Sequence, residues 1–258
     1  MKALILAAGY ATRLRPLTDE LPKQLLPVGG RPMLDWILDK IRAVEEVDAV
    51  HLVTNSRFAG DFARWAEGNG VAVHDDGTDT NETRLGAVGD LEFVIEAAGI
   101  DDDLLVVAGD NLFDFGLDAM VAFWRGQAGA SVVALYDCGD LELATHLGIV
   151  EVDDAGRITY FVEKPSDPPS TLAATATYVF PRAHVQLAAK YLALGHSPDN
   201  IGSFVAWLST QKPLYGYRFE GRWYDIGNRE QLLEADNLMR ERVGLPQRAE
   251  YALDPASP

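Results

Sequence analysis

Two stretches of this 258-residue chain carry residue types suited to handling phosphate. The first is Leu6-Ala7-Ala8-Gly9-Tyr10-Ala11-Thr12-Arg13-Leu14-Arg15-Pro16, and the second is Pro22-Lys23, with Lys23 ten residues after Arg13. Small residues where a strand ends let the backbone curl against a ligand and aim its amides at phosphate oxygens. Arg13 can grip two oxygens with its planar fork, and Lys23 supplies a point charge. The spacing is not that of a Walker loop, because no Gly-Lys-Ser/Thr follows four variable residues after a glycine. Nor is it the dinucleotide fingerprint, since Gly9-x-Ala11-x-x-Leu14 lacks two of three glycines.

Further carboxylates and cations recur along the chain. Asp110 lies in Gly109-Asp110-Asn111, Glu163 and Lys164 precede Pro165, and Asp225 lies in Trp223-Tyr224-Asp225-Ile226-Gly227. Taken singly, Asp110 reads as a turn residue, Glu163-Lys164-Pro165 as a solvated turn, Asp225 as a helix cap and Arg13 as a surface arginine. His51, His74, His146, His184 and His196 show no ligand spacing. Cys138 is the single cysteine, so it forms neither an internal disulfide nor a zinc cluster and reads as a packed thiol.

These groups need a scaffold that brings distant segments together. Ala3–Ala7 is a short apolar run, the mark of a buried parallel strand. Pro32–Val44 has Met33, Leu34, Ile37, Ile41 and Val44 at helical spacing. Ala49–Thr54, Val71–His74 and Leu104–Ala108 read as strands, and Phe58–Gly68 and Leu85–Ala98 as helices. That alternation predicts a mostly parallel sheet covered on both faces. After about residue 128 the pattern changes to the strands Ser131–Tyr136, Gly148–Val152, Ile158–Glu163 and Ala174–Phe180, with Tyr178 and Phe180 read as core. Helices return at Arg182–Ala193 and Ser203–Thr210, followed by a strand at Leu214–Phe219. A last helix spans Arg229–Arg242 behind an Asn228 cap, and the tail from Pro246 to Pro258 reads as loose.

Bulk composition limits the partners. The formal net charge is −17, which argues against nucleic-acid polymers and anionic membranes. Residues 1–30 nonetheless carry +2, from Lys2, Arg13, Arg15 and Lys23 against Asp19 and Glu20, leaving −19 on the rest. A basic island in an acidic chain suits a small anionic ligand. The hydrophobic content of 48 % is normal for a globular protein. No apolar run reaches a membrane span, and the start lacks a leader pattern, so a cytoplasmic location is expected.

The motifs stand in the order found in the sugar-1-phosphate nucleotidylyltransferases, the pyrophosphorylase group that includes the glucose-1-phosphate thymidylyltransferases, and the chain resembles that family over roughly residues 3–240. The family signature is a strand, then Gly-x-Gly-Thr-Arg-Leu-x-Pro, then Pro-Lys. Here Ala11 replaces the second glycine, so that position is expected to need no positive φ. The resemblance implies an α/β fold: a mostly parallel Rossmann-like sheet flanked by helices, with a smaller mixed-sheet sugar-binding lobe. The expected organisation is one nucleotidyltransferase domain over 1–245, with a nucleotide-binding lobe at about 1–128, a sugar-phosphate lobe at about 129–245 and a tail at 246–258.

The implied reaction joins a nucleoside triphosphate and a sugar 1-phosphate into an NDP-sugar and pyrophosphate, with Mg²⁺ as cofactor. Arg13, Lys23, Asp110 and Asp225 would be catalytic, with Asp110 and Asp225 holding the metal. Leu6, Ala7, Ala8, Gly9, Ala11, Thr12 and Gly86 would bind nucleotide; Gly148, Glu163 and Lys164 would bind the sugar phosphate. Glucose 1-phosphate with dTTP or UTP is the expected pair. A cytidylyl- or guanylyltransferase acting on another phosphorylated sugar, inositol phosphate or phosphocholine is the alternative, and a silent regulatory homologue a third reading. Where thymidylyltransferases have a Gln-Pro-rich stretch, Asp75–Arg84 stands instead, so Asn81, Thr83 and Arg84 are open candidates for base contacts. A homo-oligomer is left open.

Overall fold

The first apolar run becomes β1 (Lys2–Leu6), whose side chains alternate between two cores. Leu4 faces one core, and Ala3 and Ile5 face the other. A strand covered on both faces must be apolar at every such position. The computed structural model describes residues 1–253. In chain order β1 is followed by β2 (Pro27–Val28), β3 (Arg31–Pro32), α1 (Met33–Arg42), β4 (Ala49–Thr54), α2 (Ala59–Ala66), β5 (Val71–Asp75), α3 (Ala87–Ala98) and β6 (Leu104–Ala108). Then come β7 (Asn111–Phe113), α4 (Leu117–Arg125), β8 (Ser131–Asp137), α5 (Leu141–Ala144), β9 (Gly148–Val152), β10 (Ile158–Glu163) and β11 (Leu172–Phe180). The chain closes with α6 (Arg182–Val185), α7 (Leu187–Ala193), α8 (Ile201–Gln211), β12 (Leu214–Arg218), β13 (Trp223–Asp225) and α9 (Arg229–Arg242).

Nine strands form one sheet in the order β10-β9-β11-β6-β1-β4-β5, with β8 joining β11 to β12. β1 is parallel to β4 and β6, and β4 is parallel to β5. β11 runs antiparallel to β6, and β10 antiparallel to β9. The chain therefore has the expected mostly parallel first half and mixed second half, joined edge to edge through β6 and β11. Helices α3, α7 and α8 cover one face through Val88, Leu91, Ala188, Tyr191 and Phe204. Helices α1, α2 and α4 cover the other through Ile37, Ile41, Phe62, Leu117 and Met120.

A third, smaller core matters most for the site. Leu232, Ala235 and Met239 of α9 pack on Leu14, Leu26, Val28 and Ile226. This cluster seats the turns that carry Arg13 and Lys23. The buried Asp236 carboxylate adds a hydrogen bond from the Gly29 amide at 2.8 Å.

Several elements depart from expectation. The helix expected over Arg182–Ala193 is two helices, broken at Gln186. β7 and β13 are three residues each, too short to show a period, and they pair antiparallel. The tail is not loose where it is described: the Arg248 amide donates to Asn237 Oδ1 at 2.7 Å, and the Tyr251 hydroxyl to the Pro27 carbonyl at 2.8 Å. Residues 254–258 of that expected tail lie outside the described residues. Among the described residues, no helix is long and apolar enough to cross a membrane.

Candidate active site

A cleft of about 410 Å³ opens at the carboxyl ends of β1 and β6, the place where open α/β sheets bind ligands. Lys23, 8 % exposed, stands at its floor. Its Nζ donates to Asp110 Oδ2 at 2.6 Å and to the Ile226 carbonyl at 2.7 Å. The β7–β13 ladder sets Asp225 opposite Asn111, the residue after Asp110. The Asn111 amide bridges the two carboxylates, donating to Asp110 Oδ1 at 3.0 Å and to Asp225 Oδ1 at 3.4 Å. Trp223 Nε1 donates to Asn111 Oδ1 at 2.7 Å, which fixes the orientation of that amide.

The two carboxylates differ in their electrostatics. Burial pushes Asp110 up, but the Lys23 charge, its hydrogen bond and the Asn111 amide outweigh it and hold the carboxyl below its ordinary range. Burial and then repulsion from Asp110 push Asp225 up to about 6, against the pull of Lys23, Arg13 and Lys164. Two partly desolvated carboxylates with one amide between them offer hard oxygen donors. Mg²⁺ is commonly held by one or two carboxylates, with substrate phosphates completing its shell. The donor set fits such a cation, and a divalent charge would remove the repulsion that raises Asp225. Among the described residues, no cluster of three or more His, Cys, Asp or Glu forms a fuller cage.

The loop after β1 curls over this floor. Leu6, Ala8, Gly9 and Ala11 line the cleft, whereas Ala7 points into the core. The expectation for Ala11 is corrected: its backbone is left-handed, with φ 46° and ψ 41°. Loop closure imposes this, because the Ala11 carbonyl accepts from Thr18 Oγ1 and from the Leu14 amide, each at 3.0 Å. The conformation costs an L-residue about 1–2 kcal/mol. Thr12 and Arg13 are exposed beyond the cleft's rim. The Arg13 guanidinium lies over Gly227, beside Asp225, and makes no hydrogen bond among the described residues.

The end of the cleft near β10 is polar. Glu163 is held between Gly148 and Gly202. A Cβ at Gly148 would stand 2.8 Å from Glu163 Oε1, and one at Gly202 only 1.5 Å from it. Asn200 donates to Glu163 Oε2 at 3.4 Å. Burial raises the Glu163 carboxyl, with Asn200 and Lys164 pulling it back. Lys164 follows in the left-handed region at φ 47°, its amide bonded to the Leu147 carbonyl at 2.9 Å. Strain of this kind persists only where surrounding contacts impose it. Tyr178 and Phe180 are buried as expected and stack on each other, and Tyr178 also reaches the cleft wall.

The start of α3 forms another part of the cleft wall. Gly86 precedes it at φ +81°, and a Cβ there would lie 2.6 Å from the Pro198 carbonyl. The Ala87 and Val88 amides donate to the Asp199 and Pro198 carbonyls at 3.2 and 2.8 Å. Arg84 closes the same contact by pairing with Asp199 at 2.8 Å. Pro198 and Asp199 thus seal the start of this helix.

The fold brings Leu6, Ala8, Gly9, Ala11, Lys23, Gly86, Asp110, Gly148, Glu163, Lys164 and Asp225 to one cleft, with Arg13 at its edge. Asp76, Asp90, Asn200 and Gly202 were not legible as neighbours of these residues, because only the folded loops bring them there. Arg84 lines the cleft, while Asn81 and Thr83 lie on the exposed loop beside it. A second cavity, of about 420 Å³, lies behind β7 against Trp36, Phe113 and Leu238, and contains none of the expected site residues.

Comparison with known proteins follows the same lines. Residues 2–242 match the nucleotidyl transferase family. The chain is 31 % identical over 266 residues to the low-salt glycan biosynthesis nucleotidyltransferase of Haloferax volcanii, covering 98 % of this chain and 70 % of that protein. It is 30 % identical over 243 residues to the glucose-1-phosphate thymidylyltransferase of Streptomyces antibioticus, covering 93 % of this chain and 67 % of that one. The crystal structure of UDP-glucose pyrophosphorylase complexed with UDP-glucose superposes with a TM-score of 0.77 at 20 % identity, covering 93 % of this chain and 98 % of that one, a likeness of fold.

Proposed function

The chain belongs to the nucleotidyl transferase family, and we propose that it transfers a nucleotidyl group from a nucleoside triphosphate to a sugar 1-phosphate, acting in the cytoplasm. Glucose 1-phosphate with dTTP or UTP is the pair we favour, given the thymidylyl- and uridylyltransferases among its relatives. The observation that carries this reading is the joint placement of Lys23, Asp110 and Asp225 in the cleft that the loop after β1 and Glu163 also line.

The proposed chemistry is one displacement. A phosphate oxygen of the sugar 1-phosphate forms a bond to the α-phosphorus, and the bond from that phosphorus to the bridging oxygen breaks, releasing pyrophosphate. The nucleophile is already an anion, so no strong base is needed; the barrier is repulsion between polyanions and alignment for in-line attack. Asp110 and Asp225 would hold Mg²⁺, which when bound supplies charge neutralisation to oxygens of both substrates. Lys23, fixed by Asp110 and Ile226, places its charge at the α-phosphate. Arg13, with a free guanidinium at the rim, meets the leaving pyrophosphate. Lys164 holds the sugar phosphate, and Glu163, locked between two glycines, accepts a sugar hydroxyl.

The test is a matrix of five nucleoside triphosphates against a panel of sugar 1-phosphates, read as phosphate released after pyrophosphatase. Turnover with at least one pair is expected, highest for dTTP or UTP with glucose 1-phosphate. No pyrophosphate from any pair would overturn the reading in favour of a silent homologue.

A further inference from the structure

Asp90 stands in the first turn of α3, on the cleft wall, and takes no part in the phosphate chemistry above. It is 6 % exposed. Its Oδ1 and the Oδ2 of Asp76 are both buried with no donor among the described residues, and the Asp76 carboxyl is near enough to raise the Asp90 acid by its charge and by hydrogen bonding. Two carboxylates cannot share a hydrogen bond unless one is protonated. Burial, and then the charge of Asp76, push Asp90 up to about 8. The proton therefore resides on Asp90 at neutral pH and is donated to Asp76. That leaves Asp90 Oδ2 as a carbonyl-like acceptor with no partner among the described residues.

The pair belongs to a longer chain of contacts. Asp76 Oδ1 accepts from the Thr78 amide at 2.7 Å and from the Thr78 hydroxyl at 2.8 Å. Thr78 Oγ1 also bonds the Tyr10 hydroxyl at 3.2 Å. Tyr10 lies in the loop between Gly9 and Ala11, so a group docked at Asp90 is held in register with the phosphate-binding loop. Gly86, whose carbonyl accepts from the Asp90 amide at 2.7 Å, lines the cleft together with the uncharged Leu6, Ala8, Gly9 and Ala87. A slot of this kind suits a flat ring, and a lone acceptor in it takes an N–H and repels phosphate.

We propose that Asp90 reads the nucleobase, its Oδ2 accepting the N3–H of uracil or thymine. This rests on the uridylyl or thymidylyl reading above, because N3–H is the only N–H such a base has once N1 carries the sugar. Cytosine presents a bare N3 lone pair at that point, facing the lone pairs of Oδ2. A buried acceptor left without its donor is the kind of mismatch that discriminates strongly.

The test compares wild type, Asp90→Asn and Asp90→Ala with UTP, N3-methyl-UTP and CTP at fixed glucose 1-phosphate. Asparagine reproduces the protonated acid, since its amide N–H donates to Asp76 and its carbonyl accepts N3–H. Asp90→Asn is expected to keep the wild-type rate on UTP within about threefold, and to keep the penalty against N3-methylation. Asp90→Ala is expected to lose about 10–100-fold in kcat/KM on UTP and most of that penalty. If the alanine variant does not fold, the asparagine variant still decides, since loss of its N3-methyl penalty would overturn the proposal. An equal fall on all three nucleotides in Asp90→Ala would also overturn it while leaving the uridylyl reading intact. A wild-type protein that uses CTP or GTP far better than UTP and dTTP would remove that reading and the proposal together.

Discussion

Lys23 Nζ lies 2.6 Å from Asp110 Oδ2, and the same ammonium reaches the Ile226 carbonyl at 2.7 Å. One buried cation therefore ties the end of β6 to the turn after β13. Asp225, one residue before Ile226, shares Asn111 with Asp110 and has no such cation of its own. The two carboxylates look equivalent in the sequence and are opposite in their energetics.

Asp110→Asn and Asp225→Asn are both expected to lower turnover by about 100-fold or more, but to move stability in opposite directions. Asp110→Asn leaves the Lys23 charge uncompensated, at a cost of roughly 3–5 kcal/mol. Asp225 has a folded-state pKa pushed up to about 6. A raised acid costs stability progressively as pH climbs from its unfolded value through its folded one. Asp225→Asn removes that cost, so metal-free protein should gain stability above pH 6. Urea unfolding in chelator, with steady-state kinetics in Mg²⁺, checks both; near-normal turnover in either variant sinks the metal assignment.

Gly202→Ala should act on the sugar substrate alone. The new Cβ would fall 1.5 Å from Glu163 Oε1 and 3.2 Å from Asn200 Oδ1, so Glu163 must swing away. The KM for sugar 1-phosphate is expected to rise about tenfold, with the KM for nucleotide unchanged. Equal changes in both constants would show that Gly202 matters only for packing.

Asp90 should impose a pH slope on stability. Its acid is pushed up to about 8, so the wild type loses stability as pH rises from about 4 to 8. Asp90→Asn, neutral throughout, lacks that loss. The Tm difference between Asp90→Asn and wild type should therefore widen in favour of the variant from pH 5 to pH 8. A constant difference would contradict the buried carboxyl pair.

Ala11→Gly should be stabilising or neutral, with activity retained. Glycine relieves the left-handed penalty of about 1–2 kcal/mol and returns about 0.5–1 kcal/mol through extra unfolded-state freedom. A drop in Tm of several degrees would mean that the alanine methyl has a packing role.

How much of this was legible depended on whether each signal was local. The last helix is legible to the residue, because Asn228 is a strong cap and its side chain accepts from the Gln231 amide at 2.8 Å. Leu104–Ala108 and Gly148–Val152 are equally plain, being runs with the burial of a strand. The helix Leu117–Arg125 carries its signal in the buried Leu117, Met120, Val121 and Trp124. β7 and β13 carry no local signal; each exists through the other. Of the site residues expected from motif order, all but Ala7, Thr12 and Arg13 line one cleft, but Asp90 sits in what reads as an ordinary helix. Nothing near it in sequence reveals Asp76 across the turn. The backbone of Ala11 is not legible from its residue type, because loop closure decides it.

The β7–β13 pairing also sets a timetable. Asn111 and Asp225 are 114 residues apart, and a chain emerging from the ribosome at 5–20 residues per second needs on the order of ten seconds to cover that gap. During that interval the nascent protein already displays Arg13, Lys23 and Asp110, yet lacks both Asp225 and the Ile226 carbonyl that anchors the ammonium. A chain that ends before Asp225 therefore cannot assemble the Lys23, Asp110 and Asp225 cluster at all. The last helix, which packs on Leu14, Leu26 and Ile226, follows directly behind β13 in the chain.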